Sequence, residues 1–378
     1  MNALKKTGKW FLIVLVITNI FLLLTGKLYY WKAIVYNFAD IDDLDLFPSR
    51  TVKTNASHDW ANAADYNKIN ISDRLLKELE DFQSVAFLVV KNDSVAYERY
   101  WDGYSDSSLS NSFSMAKSVV GILIGIAVDE SKIKSIDEPV GDFIPKFKEG
   151  ENAKLTIRHL LIMSSGLNWD ESYSSLTSKT TEAYYGKRLN KLMLSLKVIN
   201  EPGKNFDYMS CNTQILSMVL KKATGKNISE YASEKLWQPL NAMHDVKWSL
   251  DHKNGNEKAY CCFYSNARDF ARFGKLYLDS GRWNGKQIVS EKYVLESITP
   301  APTLDNGKPN TTYGYHWWLG SEGGEKIFYA RGLSGQYIIV IPAKKIIIVR
   351  LGKQRDKSPD GILKDVPVFV EEVLKMYS

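Results

Sequence analysis

The chain has 378 residues, of which 44% are hydrophobic and 24% charged, close to the globular average, which excludes a disordered, collagen-like or polytopic membrane chain. Lys and Arg outnumber Asp and Glu by 49 to 43; the net charge of +6 is mild, and no Lys/Arg run is long enough to track nucleic acid. Three cysteines, Cys211, Cys261 and Cys262, are too few for a disulfide framework, and with five histidines they match no metal-ligand spacing, so no metal or other cofactor is expected.

The first element is Trp10 to Gly26, W-F-L-I-V-L-V-I-T-N-I-F-L-L-L-T-G, uncharged and preceded by Lys5, Lys6 and Lys9. Lysines before an apolar stretch mark an export segment whose N-terminus stays in the cytoplasm. At 1.5 Å per residue it spans roughly 26 Å, short for a bilayer core and long for a signal peptide. The residues after Leu24 offer no small-x-small cleavage site. Residues 1–31 are therefore expected to be a basic flank and membrane anchor, with a cleaved signal as the alternative. Tyr29, Tyr30 and Trp31 would sit at the far interface, and the body would lie outside the cytoplasm. Residues 32–73, rich in Asp and Asn with few periodic apolar positions, read as a linker.

The body occupies 74–378. Ser84–Lys91 and Ser94–Trp101 are β-rich runs separated by Asn92 and Asp93, a hairpin signal. Lys326–Leu333, Gln336–Pro342 and Lys345–Leu351 form a second β-rich block, followed by an amphipathic helix from about Val366 to Met376. Between the two blocks the text is mostly helical, as in Ile157–Met163, Gln214–Lys222 and Ala267–Leu278. Strands at both ends with helices between predict an α+β fold: an antiparallel sheet flanked by helices, with an inserted all-helical lobe. The α/β lobe would comprise about 74–140 and 255–378, the helical lobe about 141–254.

One stretch carries chemistry. Ser114-Met115-Ala116-Lys117 opens a run, Ser118 to Val128, that is apolar on every face after its first residue, as a helix in the centre of a protein is. Ser114 then stands at the helix start with Lys117 one turn on and on the same side. A serine hydroxyl needs a base, and a desolvated lysine near the positive end of a helix can serve as one. Backbone N–H groups at the same helix start can face a developing oxyanion. The second S-x-x-K, Ser131 to Lys134, reads as a solvated loop. Tyr208, in Tyr208-Met209-Ser210 before a helical run, is a candidate second base.

Together these residues resemble the serine β-lactamase and penicillin-binding-protein-like superfamily, in the branch of class C β-lactamases, D-alanyl-D-alanine carboxypeptidases, esterases and 6-aminohexanoate-dimer hydrolases. Ser114 and Lys117 match its S-x-x-K, and Tyr208-Met209-Ser210 its Y-x-N or Y-x-S. Leu155 to Leu167 and Ser265 to Gly274 fit as well, and the resemblance runs from roughly Asp81 to the C-terminus. It implies a β-lactamase/transpeptidase-like fold and a serine hydrolase of a small amide or ester, acting through an acyl-enzyme. The third family motif, K-T-G or H-x-G, aligns with Ala330-Arg331-Gly332, so its leading Lys or His is missing. That position holds the carboxylate of a β-lactam or D-Ala-D-Ala peptide, which counts against those substrates. The alignment implies that the N–H of Leu333 joins that of Ser114 in an oxyanion hole. Ser210, Gly332, Arg331, Tyr185 and His316 are the candidate substrate-binding residues, with Tyr184 and Tyr185 equally readable as packing. An S-D-N motif and a deacylating Glu are not apparent. His159 reads as a core histidine, and Arg268 with Asp269 as a helix start and ion pair. Cys261 and Cys262 are expected to stay reduced or buried, a bridge from Cys211 to either being the alternative. A β-lactamase or D,D-carboxypeptidase, and a catalytically silent relative that binds cell-wall fragments or a partner protein, are the rival readings.

Overall fold

A computed structural model describes residues 2–55, 57–356 and 364–377. Helix α1, Asn2–Thr25, contains a 20-residue apolar stretch, Lys6–Thr25, of mean hydropathy 2.0, and among the described residues it is the one helix long and apolar enough to cross a membrane. The chain turns at Gly26 (φ +73°) into α2, Tyr29–Tyr36, which packs on the body. Tyr29, expected at a lipid interface, is instead buried, with its hydroxyl 3.5 Å from the Glu182 carboxylate.

Two sheets organise the body. In chain order their strands are β1 (Ser49–Val52), β2 (Ala61–Asn62), β3 (Ser84–Lys91), β4 (Ser94–Tyr100), β5 (Ser110–Asn111), β6 (Val246–Ser249), β7 (Phe263–Ser265), β8 (Trp318–Glu322), β9 (Glu325–Gly332), β10 (Gln336–Ile341) and β11 (Ile346–Gly352). The larger sheet has the order β8-β9-β10-β11-β3-β4-β2, antiparallel except for β2 beside β4, and the smaller the order β1-β6-β7-β5. Asn92 and Asp93 both take positive φ (47° and 65°), the two-residue turn that matches strand twist, and the predicted hairpin forms.

Residues 32–73 do not form a free linker. β1 pairs with β6 and β2 with β4, while Ile41, Phe47, Val52 and Trp60 are buried in the main core. These anchors are too irregularly spaced to leave a periodic signal. Strand β6 likewise interrupts the stretch read as all-helical.

Every residue of β10 and β11 is buried, because helices cover both faces of the larger sheet. On one face lie α4 (Met115–Asp129) and α7 (Ala267–Leu278); on the other lie α3 (Asp73–Asp81) and α8 (Asp365–Met376). Gly274 lets α7 sit close, since a Cβ there would come within 2.9 to 3.2 Å of Ile347, Ile338 and Val340. The result is a three-layer α+β sandwich in which α4 is buried between the larger sheet and the helical insertion, as the all-apolar run required.

Candidate active site

All thirteen residues from Met115 to Ala127 are buried, and between Ser110 and Ala127 only Ser114 is partly exposed. A serine at a helix start ordinarily caps it. Ser114 makes no such cap, and its hydroxyl meets Lys117 instead. The approach to it is strained: Phe113 has φ +42°. Buried Asn111 holds the turn, its Oδ1 accepting from the N–H groups of Phe113 (2.9 Å) and Cys262 (3.1 Å). Ser112 is tied to Phe263 of β7 through its N–H and its hydroxyl. Cys262, His316 and Ser334, all near the same helix, also take positive φ.

Lys117 is 2% exposed. Its Nζ donates to Ser114 Oγ (2.8 Å), Ser210 Oγ (3.2 Å) and the Tyr260 carbonyl (3.2 Å), and it lies over the Tyr208 ring, 4.9 Å from the centroid. Ser114, Lys117, Tyr208 and Ser210, separated by up to 96 positions in sequence, thus come together. Among the described residues no hydrogen bond joins the Tyr208 phenol to Lys117 or Ser114. Ser210, expected to touch substrate, is 2% exposed and has its hydroxyl engaged on both sides.

A residue the sequence did not mark completes the cluster. Helix α6, Ser210–Thr224, packs on α4, and its first N–H donates to Glu171 Oε2 (2.7 Å) while the Ser210 hydroxyl donates to Glu171 Oε1 (2.6 Å). A carboxylate at a helix start satisfies an otherwise orphaned donor and meets the positive end of the dipole. Trp169 Nε1 (2.6 Å) and the Tyr173 hydroxyl (2.5 Å) also donate to it.

The end of β9 faces the start of α4. Gly332 is required there, because a Cβ would come 2.3 Å from the Ser112 carbonyl oxygen. This brings Leu333 beside the start of α4. Among the described residues the N–H groups of Ser114 and Leu333 donate to no acceptor. Ala330 is buried on the α4 side of the sheet. Arg331 alternates to the other side and lays its guanidinium 4.0 Å over the Trp318 ring. Trp318 in turn lies 5.5 Å from the Tyr208 ring, and Tyr313 and Phe206 extend this aromatic edge.

Two candidates fall elsewhere. Helix α5, Lys179–Tyr185, carries Tyr185 into a buried aromatic group with Phe47 and Tyr184, 6.3 and 4.9 Å between ring centroids. His316 tucks under α4, 2% exposed, with Nε2 3.0 Å from Thr213 Oγ1; it is a core residue and not part of the cleft. Burial, with Lys117 nearby, pulls the His316 imidazole down to about 3. Between about pH 6.5, where an unfolded histidine titrates, and pH 3 the unfolded chain then binds a proton that the folded chain refuses, so stability falls as pH falls through this window. Urea unfolding between pH 7 and 4 should show that loss, and His316→Gln should flatten the slope.

Cys261 and Cys262 are buried, as expected, but they are not reduced, and neither is bridged to Cys211. Cys261 and Cys262 are joined to each other, in the segment that follows the Tyr260 carbonyl, and Cys211 is free and buried on α6. Burial pushes the Cys211 thiol up.

Known proteins resemble this chain in sequence and in fold. The family model described as Beta-lactamase matches residues 72–367. The 6-aminohexanoate-dimer hydrolase of Paenarthrobacter ureafaciens is 27% identical over 331 residues, 79% of this chain and 82% of its own. The solved structure named "Putative 6-aminohexanoate-dimer hydrolase from Bacillus anthracis" superposes with a TM-score of 0.74 at 21% identity, over 89% of this chain and 92% of that one. A class C beta lactamase from Rhodobacter sphaeroides shares the fold at a TM-score of 0.59 and 12% identity, covering 81% of this chain and 100% of that one. With the family matched over most of its length and the S-x-x-K and Y-x-S residues gathered around one buried lysine, the chain belongs to the beta-lactamase family of hydrolases.

Proposed function

We propose that the protein cleaves a small amide or ester through an acyl-enzyme on Ser114. The observation that carries this is a buried lysine 2.8 Å from a partly exposed serine at the start of a central helix. Lys117 takes the Ser114 proton as Oγ attacks the substrate carbonyl. The oxyanion is held by the N–H groups of Ser114 and Leu333. As the acyl bond to the leaving group breaks, Lys117 and Tyr208 return a proton to the departing amine or alcohol. Water then attacks the acyl-enzyme, one of its protons passes back by the same groups, and Ser114 and the free acid are regenerated.

The buried alanine at position 330 favours acyl groups without the carboxylate that a penicillin or a D-Ala-D-Ala peptide presents. The partly exposed aromatic edge of Tyr208, Trp318 and Phe206, backed by buried Tyr313, suits an extended apolar chain, and the name of the Paenarthrobacter relative points to a linear amide. The exposed apolar length of α1 supports a membrane anchor with the catalytic body outside the cytoplasm, and the packing of α2 on that body implies a short, rigid attachment.

The test is intact-protein mass after exposure to p-nitrophenyl esters, linear amides, D-amino-acid peptides and penicillins. An acyl adduct on Ser114 from esters or linear amides, absent from Ser114→Ala, is expected. An adduct from penicillin alone would reassign the protein to the penicillin-recognising enzymes, and none from any probe would make it a binding relative.

A further inference from the structure

Nothing in the S-x-x-K or Y-x-S residues tells Lys117 which neighbour to deprotonate. As an ammonium its three hydrogens go to Ser114 Oγ, Ser210 Oγ and the Tyr260 carbonyl. As a base it has two hydrogens and one lone pair, and the lone pair must face a donor. The Tyr260 carbonyl can only accept. Ser210 carries a hydroxyl and, left to itself, can turn that proton toward the lysine as readily as Ser114 can.

Glu171 removes that freedom. Its two oxygens receive four donors: the indole N–H of Trp169 and the backbone N–H of Ser210 on Oε2, and the hydroxyls of Tyr173 and Ser210 on Oε1. A carboxylate, acceptor-only on both oxygens, satisfies all four. The Ser210 proton is therefore committed to Glu171 at 2.6 Å, and toward Lys117 the Ser210 oxygen can only accept. Neutral Lys117 then spends its two hydrogens on Ser210 and Tyr260, and its lone pair is left facing Ser114.

We infer that Glu171 is a positioning residue that aims the lone pair of Lys117 at Ser114 by fixing the direction of the Ser210 hydroxyl. This rests on the Ser114 and Lys117 roles proposed above. It gives Glu171 no contact with substrate, and it gives Ser210 a directional role in place of the substrate-binding one.

Glu171→Gln makes the inference specific. The N–H groups of Trp169 and Ser210 cannot reverse, so the amide oxygen must stay with them. Its NH2 then faces the hydroxyls of Ser210 and Tyr173, which can turn to accept. The Ser210 proton swings toward Lys117 and competes for the lone pair. Removing the Ser210 hydroxyl from this variant removes the competitor.

The experiment follows Ser114 labelling of the full chain by a fluorophosphonate, read as adduct mass against time. In that reaction the Ser114 Oγ–P bond forms, the P–F bond breaks, fluoride leaves and the serine proton passes to Lys117. Glu171→Gln is expected to label about 100-fold more slowly than wild type and Ser210→Ala about 10-fold more slowly, as for weakened general-base assistance. The double variant should match Ser210→Ala, so that adding Ser210→Ala to Glu171→Gln speeds labelling about tenfold. A merely structural role predicts a further slowing. Losses that multiply in the double variant, or wild-type labelling by Glu171→Gln, overturn the inference. If Glu171→Gln shows no cooperative melting transition, Ser210→Ala decides alone: slowed labelling supports the inference and the wild-type rate overturns it. Absence of a Ser114 adduct in wild type would instead overturn the hydrolase reading beneath it.

Discussion

Lys117→Met is expected to lower kcat on a p-nitrophenyl ester by about 10³-fold or more while KM stays close to wild type. The amine is the only basic group within hydrogen-bond reach of Ser114 Oγ among the described residues; its other hydrogen bonds go to Ser210 and to a carbonyl inside the protein, and its contact with the Tyr208 ring is one that a methionine thioether can replace. Its loss therefore removes proton transfer and leaves the walls of the cleft as they are. Met fills nearly the same volume without an ammonium at 2% exposure, so the melting temperature should stay within a few degrees of wild type, lost desolvation offsetting the lost donors. Steady-state kinetics and thermal melts check both halves. A variant that keeps its kcat would remove Lys117 from the mechanism.

The largest stability effect is expected at Arg350→Leu, about 3–5 kcal/mol. Arg350 stands on β11 with no exposed surface, and burial pulls its guanidinium down to about 10. Nη1 donates to the carbonyls of Ser334 (2.9 Å), Gly335 (2.8 Å) and Gln354 (2.9 Å), Nε to Ser84 Oγ (2.9 Å) and Nη2 to the Phe82 carbonyl. Leucine fills most of the space and satisfies none of these acceptors. One side chain thus ties the turn after β9 to the start of β3 and to the chain beyond β11. Because that turn carries Leu333, kcat should fall as well, even at temperatures where the variant is folded. Urea unfolding measures the first effect and ester hydrolysis the second. Arg350→Lys should recover little, since an ammonium cannot span acceptors laid out for a planar fork.

The parts of the fold that were readable are those in which neighbours in sequence are neighbours in space. The Asn92-Asp93 hairpin, the β9-β10-β11 meander and the all-apolar helix after Ser114 each announce themselves locally, and Ser114 with Lys117 needs only one helical turn. Phe47, Val52 and Trp60 were missed because each is a single anchor whose partners lie far along the chain: β1, which ends at Val52, pairs with β6 nearly 200 positions later. Glu171 sits in an irregular loop, and the serine it holds comes 39 positions on. An acid in a loop is ordinarily solvated, and only the convergence of four donors distinguishes this one. His316, a candidate substrate-binding residue, stands in an aromatic run, Tyr313 to Trp318, whose pattern does not tell which side chains are buried. The chain takes a left-handed turn there (φ +59°) and buries the ring beneath α4 instead.

The strand order has a bearing on when the protein can work. β3 is bordered by β11, with Val89 opposite Ile348, so the centre of the sheet is closed by a segment made 259 positions later. Until it arrives, the β3-β4 hairpin has one bare edge and the Ser114 helix lacks part of the sheet it rests on. Contacts this distant form late and slowly. A ribosome that has finished the Ser114 helix, the Tyr208 turn and the whole helical insertion has still made nothing able to hydrolyse a bond. Activity would then begin only after β11 has been synthesised, and a product cut short before β11 would be a substrate for proteases and not a smaller enzyme.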